Sequence, residues 1–258
     1  MNGFSDSSIV LDLSSIHSTL TGALNKEALD GPIVFGDTET TGLLCSRDRV
    51  IEIGALRFEA NGELSGVFHQ YYDPQMSIPD ESAKVHGITD AVMRDMLLDG
   101  RAKKMTYQEY EKFQKFIDGA TFIAHNARFD QEFLEAEGAR FGLKFAPKHV
   151  IDTIPLGRLR FPRRKLSLDM LCKHLGISSE ARAEFHGALV DADLLSRMFC
   201  GLIKAEQNNL FDGLITAPVL DQVAEAPQGS SRARLLGQPT MAELARHDEF
   251  IRSKIKRG

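Results

Sequence analysis

Short apolar runs and helix-like stretches follow one another along most of the chain. Three apolar, β-branched runs come first, and Asn61-Gly62 between the second and third is typical of a hairpin turn. Further on, apolar residues recur at helical spacing, as in Tyr110, Phe113 and Ile117. The pattern predicts strands at residues 32–37, 49–58, 66–72, 120–124 and 150–151, and helices at 107–117, 127–141, 167–175 and 187–203.

A run of strands followed by strands that alternate with helices indicates an α/β fold with a mixed β-sheet flanked by helices. We expect this main domain to span residues 31–204. Residues 1–30 form an N-terminal extension without a predicted role. Residues 205–235 are predicted to be a linker, because 218–234 are rich in Ala, Pro, Gly, Ser and Gln. A capping-box pattern at 240–243 predicts a helix within 236–258, so the domain carries a flexible C-terminal tail.

Composition and charge narrow the possible functions. The 258 residues have an ordinary soluble composition and a net charge of −5, which argues against a protein that coats nucleic acid through bulk positive charge. A nucleic-acid enzyme remains possible, because bound metal ions neutralise phosphate locally. No apolar run is long enough to span a membrane. The three separated cysteines suggest neither a zinc site nor disulfides, and residues 1–6 do not resemble a secretory signal, so we expect a cytoplasmic protein.

Two carboxylates stand at the end of the first predicted strand. Asp37 and Glu39 are separated by one residue, and side chains at that spacing point to the same face of a strand. Carboxylates held that close repel each other unless a cation lies between them. Hard divalent cations such as Mg²⁺ and Mn²⁺ prefer oxygen ligands of this kind.

Two later segments supply the additional groups that such a site needs. In the first, Asn126 and Asp130 lie four residues apart, on one face of a predicted helix. In the second, His186 precedes a predicted helix and Asp191 lies in its first turns. We interpret His125, at the start of the first segment, as a packed and hydrogen-bonded histidine rather than a catalytic one.

Four carboxylates and one histidine suit two-metal hydrolysis of a phosphodiester. Two cations bind the attacking and leaving oxygens and polarise the phosphoryl group. A histidine, with an ordinary pKa near 6.5, accepts the proton of the attacking water at neutral pH.

The segments at 37–42, 125–130 and 186–191 resemble the three exonuclease motifs of the DEDDh superfamily of 3′→5′ exonucleases, which have a ribonuclease H-like fold. The resemblance implies two divalent cations, Mg²⁺ or Mn²⁺. It also implies the roles of five residues: metal ligands at Asp37, Glu39, Asp130 and Asp191, and a general base at His186.

Within this superfamily, residues 49–55, 85–88 and 166–172 resemble the proofreading (epsilon) subunit of bacterial DNA polymerase III. That resemblance implies single-stranded or melted 3′ ends of DNA as substrate, nucleoside 5′-monophosphates as products, and the polymerase catalytic subunit as a partner. The residues expected to contact the strand end are Asp37, Glu39, Thr40, Glu81, His86, Asn126, Phe129 and Asp191. Gly36 departs from the usual apolar residue, and we expect it to loosen the strand end.

A short peptide follows the predicted domain. Residues 207–211 resemble the peptide by which bacterial replication proteins bind the sliding clamp, with Gln207, Leu210 and Phe211 as the contacting residues. Asn208 replaces the usual leucine. The resemblance to the proofreading subunit also implies that the helix within 236–258 binds the polymerase.

Other interpretations remain open. A ribonuclease T-like enzyme that trims RNA or DNA 3′ ends would share every catalytic residue, but it would need neither the clamp peptide nor the tail. A catalytically inactive scaffold module of the replication machinery would be indicated by loss of a carboxylate, and none is lost. The basic segment 158–165 is either a solvated loop or a loop that contacts phosphates beside the site.

Overall fold

A six-stranded mixed sheet forms the centre of the computed structural model, which describes residues 26–179, 182 and 186–204. The sheet order is β4-β3-β2-β1-β5-β6, with β1 antiparallel to β2 and parallel to β5. The strands are β1 (Ile33–Thr40), β2 (Val50–Phe58), β3 (Leu64–Asp73), β4 (Ala102–Lys104), β5 (Thr121–Ala124) and β6 (His149–Asp152).

Helices cover both faces of this sheet. They are α1 (Asp80–His86), α2 (Asp90–Leu98), α3 (Tyr107–Ile117), α4 (Ala127–Ala139), α5 (Thr153–Arg160), α6 (Leu168–His174) and α7 (Ala188–Ile203). One core lies between the sheet and α5–α7, and a second lies between the opposite face and α3 and α4. A third cluster joins α1 and α2 to the β3–β4 edge.

The predicted α/β architecture and its mixed sheet are confirmed. Every strand and helix predicted within the described residues is present, with β1 extending three residues further than expected, to Thr40. Asn61 and Gly62 form the predicted turn, in which Gly62 has a φ of 84°. Among the described residues, four of the strands and α-helices were not predicted: α1, α2, β4 and α5. β4 has only three residues, and α1 contains just two apolar residues, Ala83 and Val85, so neither shows a periodic pattern.

The expectation that Gly36 loosens the strand end is not met by the local packing. A side chain at position 36 would overlap the ring of Phe122, because a Cβ atom there would lie 2.3 Å from that ring. The missing side chain is thus replaced by an aromatic ring, and β1 continues paired with β2 to its end.

A second glycine lets α7 approach the sheet. A Cβ atom on Gly54 of β2 would lie 2.1 Å from the backbone nitrogen of Leu189. The start of α7 therefore rests directly on the backbone of β2, opposite Asp37 on β1. Only glycine permits this contact, which fixes the position of the first turn of α7.

The tail elements lie outside the described residues, as does most of the N-terminal extension. Of that extension, Lys26–Leu29 forms a 3-10 helix, and the side chain of Thr121 donates a hydrogen bond to the carbonyl of Ala28. Within the part of the chain that is described, none of the helices has the length and apolar character needed to cross a membrane.

Candidate active site

The end of β1 presents its carboxylates as the strand alternation predicts. Asp37 and Glu39 share a face, opposite Gly54 and Glu52 of β2. Thr38 points to the other face, and its hydroxyl donates a hydrogen bond of 2.8 Å to Oδ1 of Asp130. Side chains from both faces of the end of β1 therefore contact groups of the site.

Helix α4 brings the third carboxylate. Asp130 lies in its first turn and is 3% exposed. Asn126 precedes the helix in a left-handed conformation (φ 67°, ψ 48°), and its backbone N–H donates to Oδ1 of Asp152. Seven residues beyond Asp130, Glu137 accepts two hydrogen bonds from the guanidinium of Arg49, at 2.7 and 3.0 Å. This partly buried ion pair holds α4 against the residue that directly precedes β2.

Helix α7 and the segment before it supply the remaining predicted groups. Asp191 lies in the first turn of α7 and is 3% exposed. The backbone N–H of His186 donates to the carbonyl of Val85 in α1. This hydrogen bond joins the segment before α7 to the helix that carries Glu81 and His86.

These elements enclose a cleft of about 180 Å³. Six of the residues predicted from the sequence line it: Asp37, Glu39, Phe129, Asp130, His186 and Asp191. Thr38, His125, Leu168 and Arg182 line it as well. The other predicted contacts lie outside this lining: Thr40 and His86 are buried, and Glu81 and Asn126 are exposed.

Arg182 lines the cleft as well, although the sequence did not indicate it. Its guanidinium lies 2.6 Å from Oδ1 of Asp191 and 2.8 Å from Oδ1 of Asp169. It also lies 2.8 Å from Nδ1 of His186. Because a guanidinium only donates hydrogen bonds, Nδ1 of His186 accepts here and is unprotonated. No motif marks this arginine, although a basic residue four positions before a predicted general base was a weak signal.

Burial and mutual repulsion raise the pKa values of the carboxylates. The pKa of Asp37 lies well above its usual value, chiefly because of burial and then because of Asp191 and Asp130. The pKa of Glu39 is also well above its usual value, through burial and then through Glu52. Burial raises the pKa of Asp130 to about 7 and that of Asp191 to about 6, and Arg182 opposes the rise at Asp191.

The histidines around the cleft are held neutral. Burial and then Arg182 lower the pKa of His186, and burial lowers the pKa of His86 to about 4. Burial also lowers the pKa of His125, whose ring is hydrogen-bonded to the hydroxyl of Thr153 and to the backbone of Leu166. The interpretation of His125 as a packed, hydrogen-bonded residue agrees with these contacts.

A fifth carboxylate lies directly behind the cleft. Glu52 faces Glu39 across the β1–β2 pair, and its Oε1 lies 2.7 Å from Nε2 of His69. Both side chains are 2% exposed. The sequence offered a signal for this pair, since Glu52 interrupts an otherwise apolar strand.

The donor set suits a hard divalent cation. Carboxylate oxygens are the ligands that Mg²⁺ and Mn²⁺ select, and the mutual repulsion of these acids falls when positive charge enters the cleft. Among the described residues, one group of possible ligand atoms lies within 4.8 Å of one another, those of Glu39, His186 and Asp191. Asp37 and Asp130 line the same cleft.

The metal-free protein is expected to lose stability as the pH rises from about 6.5 to about 8. Asp130 has a folded pKa of about 7, above the unfolded value of roughly 3.9, so the folded state binds more protons in this interval. The stability present at low pH is therefore lost as pH rises through the folded pKa. Below about pH 6.5 the lowered pKa of His86 makes stability increase with pH. Between about pH 6.5 and 8 the change in stability therefore comes from the carboxylates.

The check is the melting temperature in EDTA at several pH values, with and without added Mn²⁺. We expect the melting temperature to fall towards pH 8 and Mn²⁺ to reverse the fall. Asp130→Asn should flatten the dependence, and Glu132→Gln, on the exposed side of the same helix, should not. A melting temperature that rises with pH in EDTA would contradict this account.

The sequence matches the exonuclease family RNase T over residues 34–199. It is 34% identical to the DNA polymerase III subunit epsilon of Rickettsia typhi over 229 residues, which cover 83% of this chain and 93% of the relative. The same subunit of Pasteurella multocida is 33% identical, over 83% of this chain and 86% of the relative. These matches span more of the chain than residues 34–199 do.

Solved structures show the same fold. A structure of exonuclease I superposes with a TM-score of 0.56 at 18% identity, over 67% of this chain and 40% of that chain. A zinc-bound complex of Escherichia coli exonuclease I with single-stranded DNA also gives a TM-score of 0.56, at 18% identity over 66% of this chain and 40% of that chain. The chain thus spans about two fifths of exonuclease I, and the predicted exonuclease fold is confirmed.

Proposed function

The chain belongs to the RNase T family of exonucleases and, within it, to the epsilon subunits of DNA polymerase III, and we propose that the residues around its cleft carry out the 3′→5′ exonuclease reaction of proofreading. The enzyme is a divalent-metal-dependent exonuclease. The observation that carries the assignment of the site is the convergence of carboxylates from β1, α4 and α7 on one cleft beside His186.

Asp37, Glu39, Asp130 and Asp191 are the proposed ligands of two divalent cations. Their oxygen donors favour Mg²⁺ or Mn²⁺. When bound, such cations polarise the phosphoryl group and lower the pKa of the attacking water. The hydroxyl of Thr38 fixes the orientation of the Asp130 carboxylate, and the close approach of α7 to Gly54 fixes that of Asp191.

His186 is the proposed general base. Its lowered pKa keeps the ring neutral at pH 7, so it can accept the proton of the attacking water. Nδ1 accepts a hydrogen bond from Arg182 in this structure. Transfer of a proton to that nitrogen therefore requires the guanidinium to turn away. Attack on the terminal phosphodiester then releases a nucleoside 5′-monophosphate and leaves a shortened strand with a new 3′ hydroxyl.

The terminal nucleotide is proposed to bind between α1 and the start of α4. Glu81 and His86 would contact it from one side, and Asn126 and Phe129 from the other. These contacts would be completed by Asp37, Glu39, Thr40 and Asp191. The hydrogen bond from His186 to Val85 supports this arrangement, because it keeps α1 next to the general base.

Selection of mismatched ends would follow from the requirement for a melted end. A mismatched terminus unpairs at a lower free-energy cost than a paired one, so it enters the cleft more often. The substrate is therefore proposed to be single-stranded or melted 3′ DNA.

Partner binding is proposed for the part of the chain beyond the domain, which lies outside the described residues. Residues 207–211 would bind the sliding clamp through Gln207, Leu210 and Phe211, and the segment 236–258 would bind the polymerase catalytic subunit. The sequence similarity to epsilon subunits extends past the family match at 34–199 and supports these proposals. An RNA-trimming enzyme would need neither segment.

Changing Leu210 and Phe211 to alanine is expected to abolish capture of the sliding clamp by the tagged chain. Two apolar anchors are lost, and removal of such anchors weakens binding by about 2 kcal/mol or more, roughly 30-fold. The experiment is co-purification from the native cell, with the polymerase and clamp subunits identified.

The parent chain should capture both subunits, and the double variant should keep the polymerase. A matched control changes Leu214 and Leu220, two apolar residues of the same segment, to alanine and should keep both. Unchanged clamp capture by the Leu210/Phe211 variant would refute the peptide assignment. Capture of neither subunit by the parent would favour the RNA-trimming alternative.

A further inference from the structure

The loop between α5 and α6 carries an uninterrupted set of positive charges, Arg163, Arg164 and Lys165, here named the basic loop. All three side chains are exposed. Among the described residues, none of them forms a salt bridge with an acidic side chain. Three exposed positive charges in succession are available to an anionic partner.

The basic loop leads directly into the wall of the cleft. The residue after Lys165, Leu166, is hydrogen-bonded through its backbone to the ring of His125, and His125 lines the cleft. Leu168, three residues after Lys165, lines the cleft as well. The end of the basic loop thus adjoins the rim of the site, and its three charged residues directly precede Leu166.

The backbone of the loop holds a conformation that few residues adopt. Arg163 has a φ of 66°, in the left-handed region that residues other than glycine rarely adopt. The next residue, Arg164, donates its backbone N–H to the carbonyl of Phe161. The loop therefore turns tightly where the charges are concentrated.

The negative charge of the cleft opposes the approach of a DNA strand, and the positive charges of the basic loop offset this repulsion. Five carboxylates lie in or behind the cleft, and the chain as a whole has a net charge of −5. A phosphodiester strand that approaches this face is repelled at long range unless local positive charge attracts it. The cations proposed in the cleft act on the terminal phosphodiester, and they leave the rest of the strand without a partner.

We propose that the basic loop binds the phosphates of the DNA strand upstream of its terminal nucleotide and guides the single strand into the cleft. This inference rests on the proposed exonuclease function and adds a second contact region to it. Contacts to phosphate carry no sequence information, which suits an enzyme that must accept any 3′ end. The loop should affect strand binding and leave the chemical step unchanged.

The test compares the parent with Arg163→Gln/Arg164→Gln/Lys165→Gln. The matched control is Lys112→Gln/Lys115→Gln/Lys148→Gln, which removes the same charge from exposed lysines near the opposite end of the parallel strands β1, β5 and β6. Two substrates are used: a single-stranded 12-nucleotide DNA, and the p-nitrophenyl ester of thymidine 5′-monophosphate, which has no upstream strand. Binding of a fluorescein-labelled 12-mer is measured in EDTA over a range of salt concentrations.

The loop variant should raise the KM for the 12-mer about tenfold or more at low salt, with kcat within about twofold. The slope of log Kd against log salt should fall by about 2, because each phosphate contact to a single strand contributes roughly 0.7. Hydrolysis of the ester should be unchanged. Replacing both arginines with lysine, which keeps the charge, should leave the slope near the parent value.

A salt slope and KM equal to those of the control triple would overturn the proposal and would point to an acidic protein partner instead. Reduced hydrolysis of the ester would also overturn it, because the loop would then act on the catalytic groups. Failure of the proposed exonuclease function is distinguishable, since the parent would then cleave neither substrate while the binding measurement in EDTA still reports on the loop.

Discussion

Asp37→Asn with Glu39→Gln is expected to reduce metal-dependent degradation of single-stranded DNA by about 10³-fold or more. Both changes remove the negative charge of a proposed metal ligand and keep the shape of its side chain. Several kcal/mol of transition-state stabilisation depends on the bound cations, and each 1.36 kcal/mol corresponds to a tenfold change in rate. The measurement is the initial rate on a labelled oligonucleotide at saturating Mn²⁺.

The folded state should survive this double change. Burial and then repulsion from neighbouring acids raise the pKa values of both groups, so removing their charge stabilises the metal-free protein. Its melting temperature in EDTA at pH 8 is expected to rise. The control Glu132→Gln with Glu135→Gln changes two exposed acids on α4 and should retain full activity. Activity within about tenfold of the parent in the Asp37/Glu39 variant would exclude these residues as the metal site.

His186→Ala is expected to lower kcat by about 10²–10⁴-fold with little change in KM. The ring lies among the carboxylates of the cleft, and burial and Arg182 lower its pKa, which keeps it ready to accept a proton. In the parent, activity should fall on the acidic side as this ring becomes protonated. The variant should lose that part of the pH profile.

The kinetic comparison for this residue uses His149→Ala as the control, since His149 begins β6 at the end of the strand remote from the cleft. The control should keep both kcat and its pH dependence. A loss of only about twofold in the His186 variant would remove its role as general base.

The strand and helix that carry most of the site could be predicted from local patterns. Alternation along β1 was enough to place Asp37 and Glu39 on one face, and helical periodicity was enough to find α7 with Asp191 in its first turn. These predictions succeeded because β1 begins with a continuous apolar run and α7 is a long, mostly apolar helix.

Other parts of the site depend on contacts between distant segments. The close packing of α7 on Gly54 and the ion pair between Glu52 and His69 arise only when the sheet has formed. The sequence contained a sign of both contacts, because a glycine and a glutamate in the middle of an apolar strand are unusual. The sequence contained almost no sign of the position of Arg182, because a lone arginine before a motif has many possible contacts.

At Gly36, by contrast, the local sequence suggested an effect that the packing of the folded chain does not show. Its effect was expected from the flexibility of glycine, but the Phe122 ring occupies the space that a side chain at position 36 would need. Local propensity was overridden by packing between β1 and β5, which cannot be deduced from either segment alone.

The products formed from a DNA primer labelled at its 5′ end test the proposed function most directly. The purified protein should shorten the primer from its 3′ end in single-nucleotide steps, faster with a mismatched terminus than with a paired one, and more slowly on RNA of the same sequence. Addition of EDTA should stop the reaction. Internal cuts, degradation from the 5′ end or activity that persists in EDTA would contradict the assignment of this cleft as a metal-dependent 3′→5′ proofreading site.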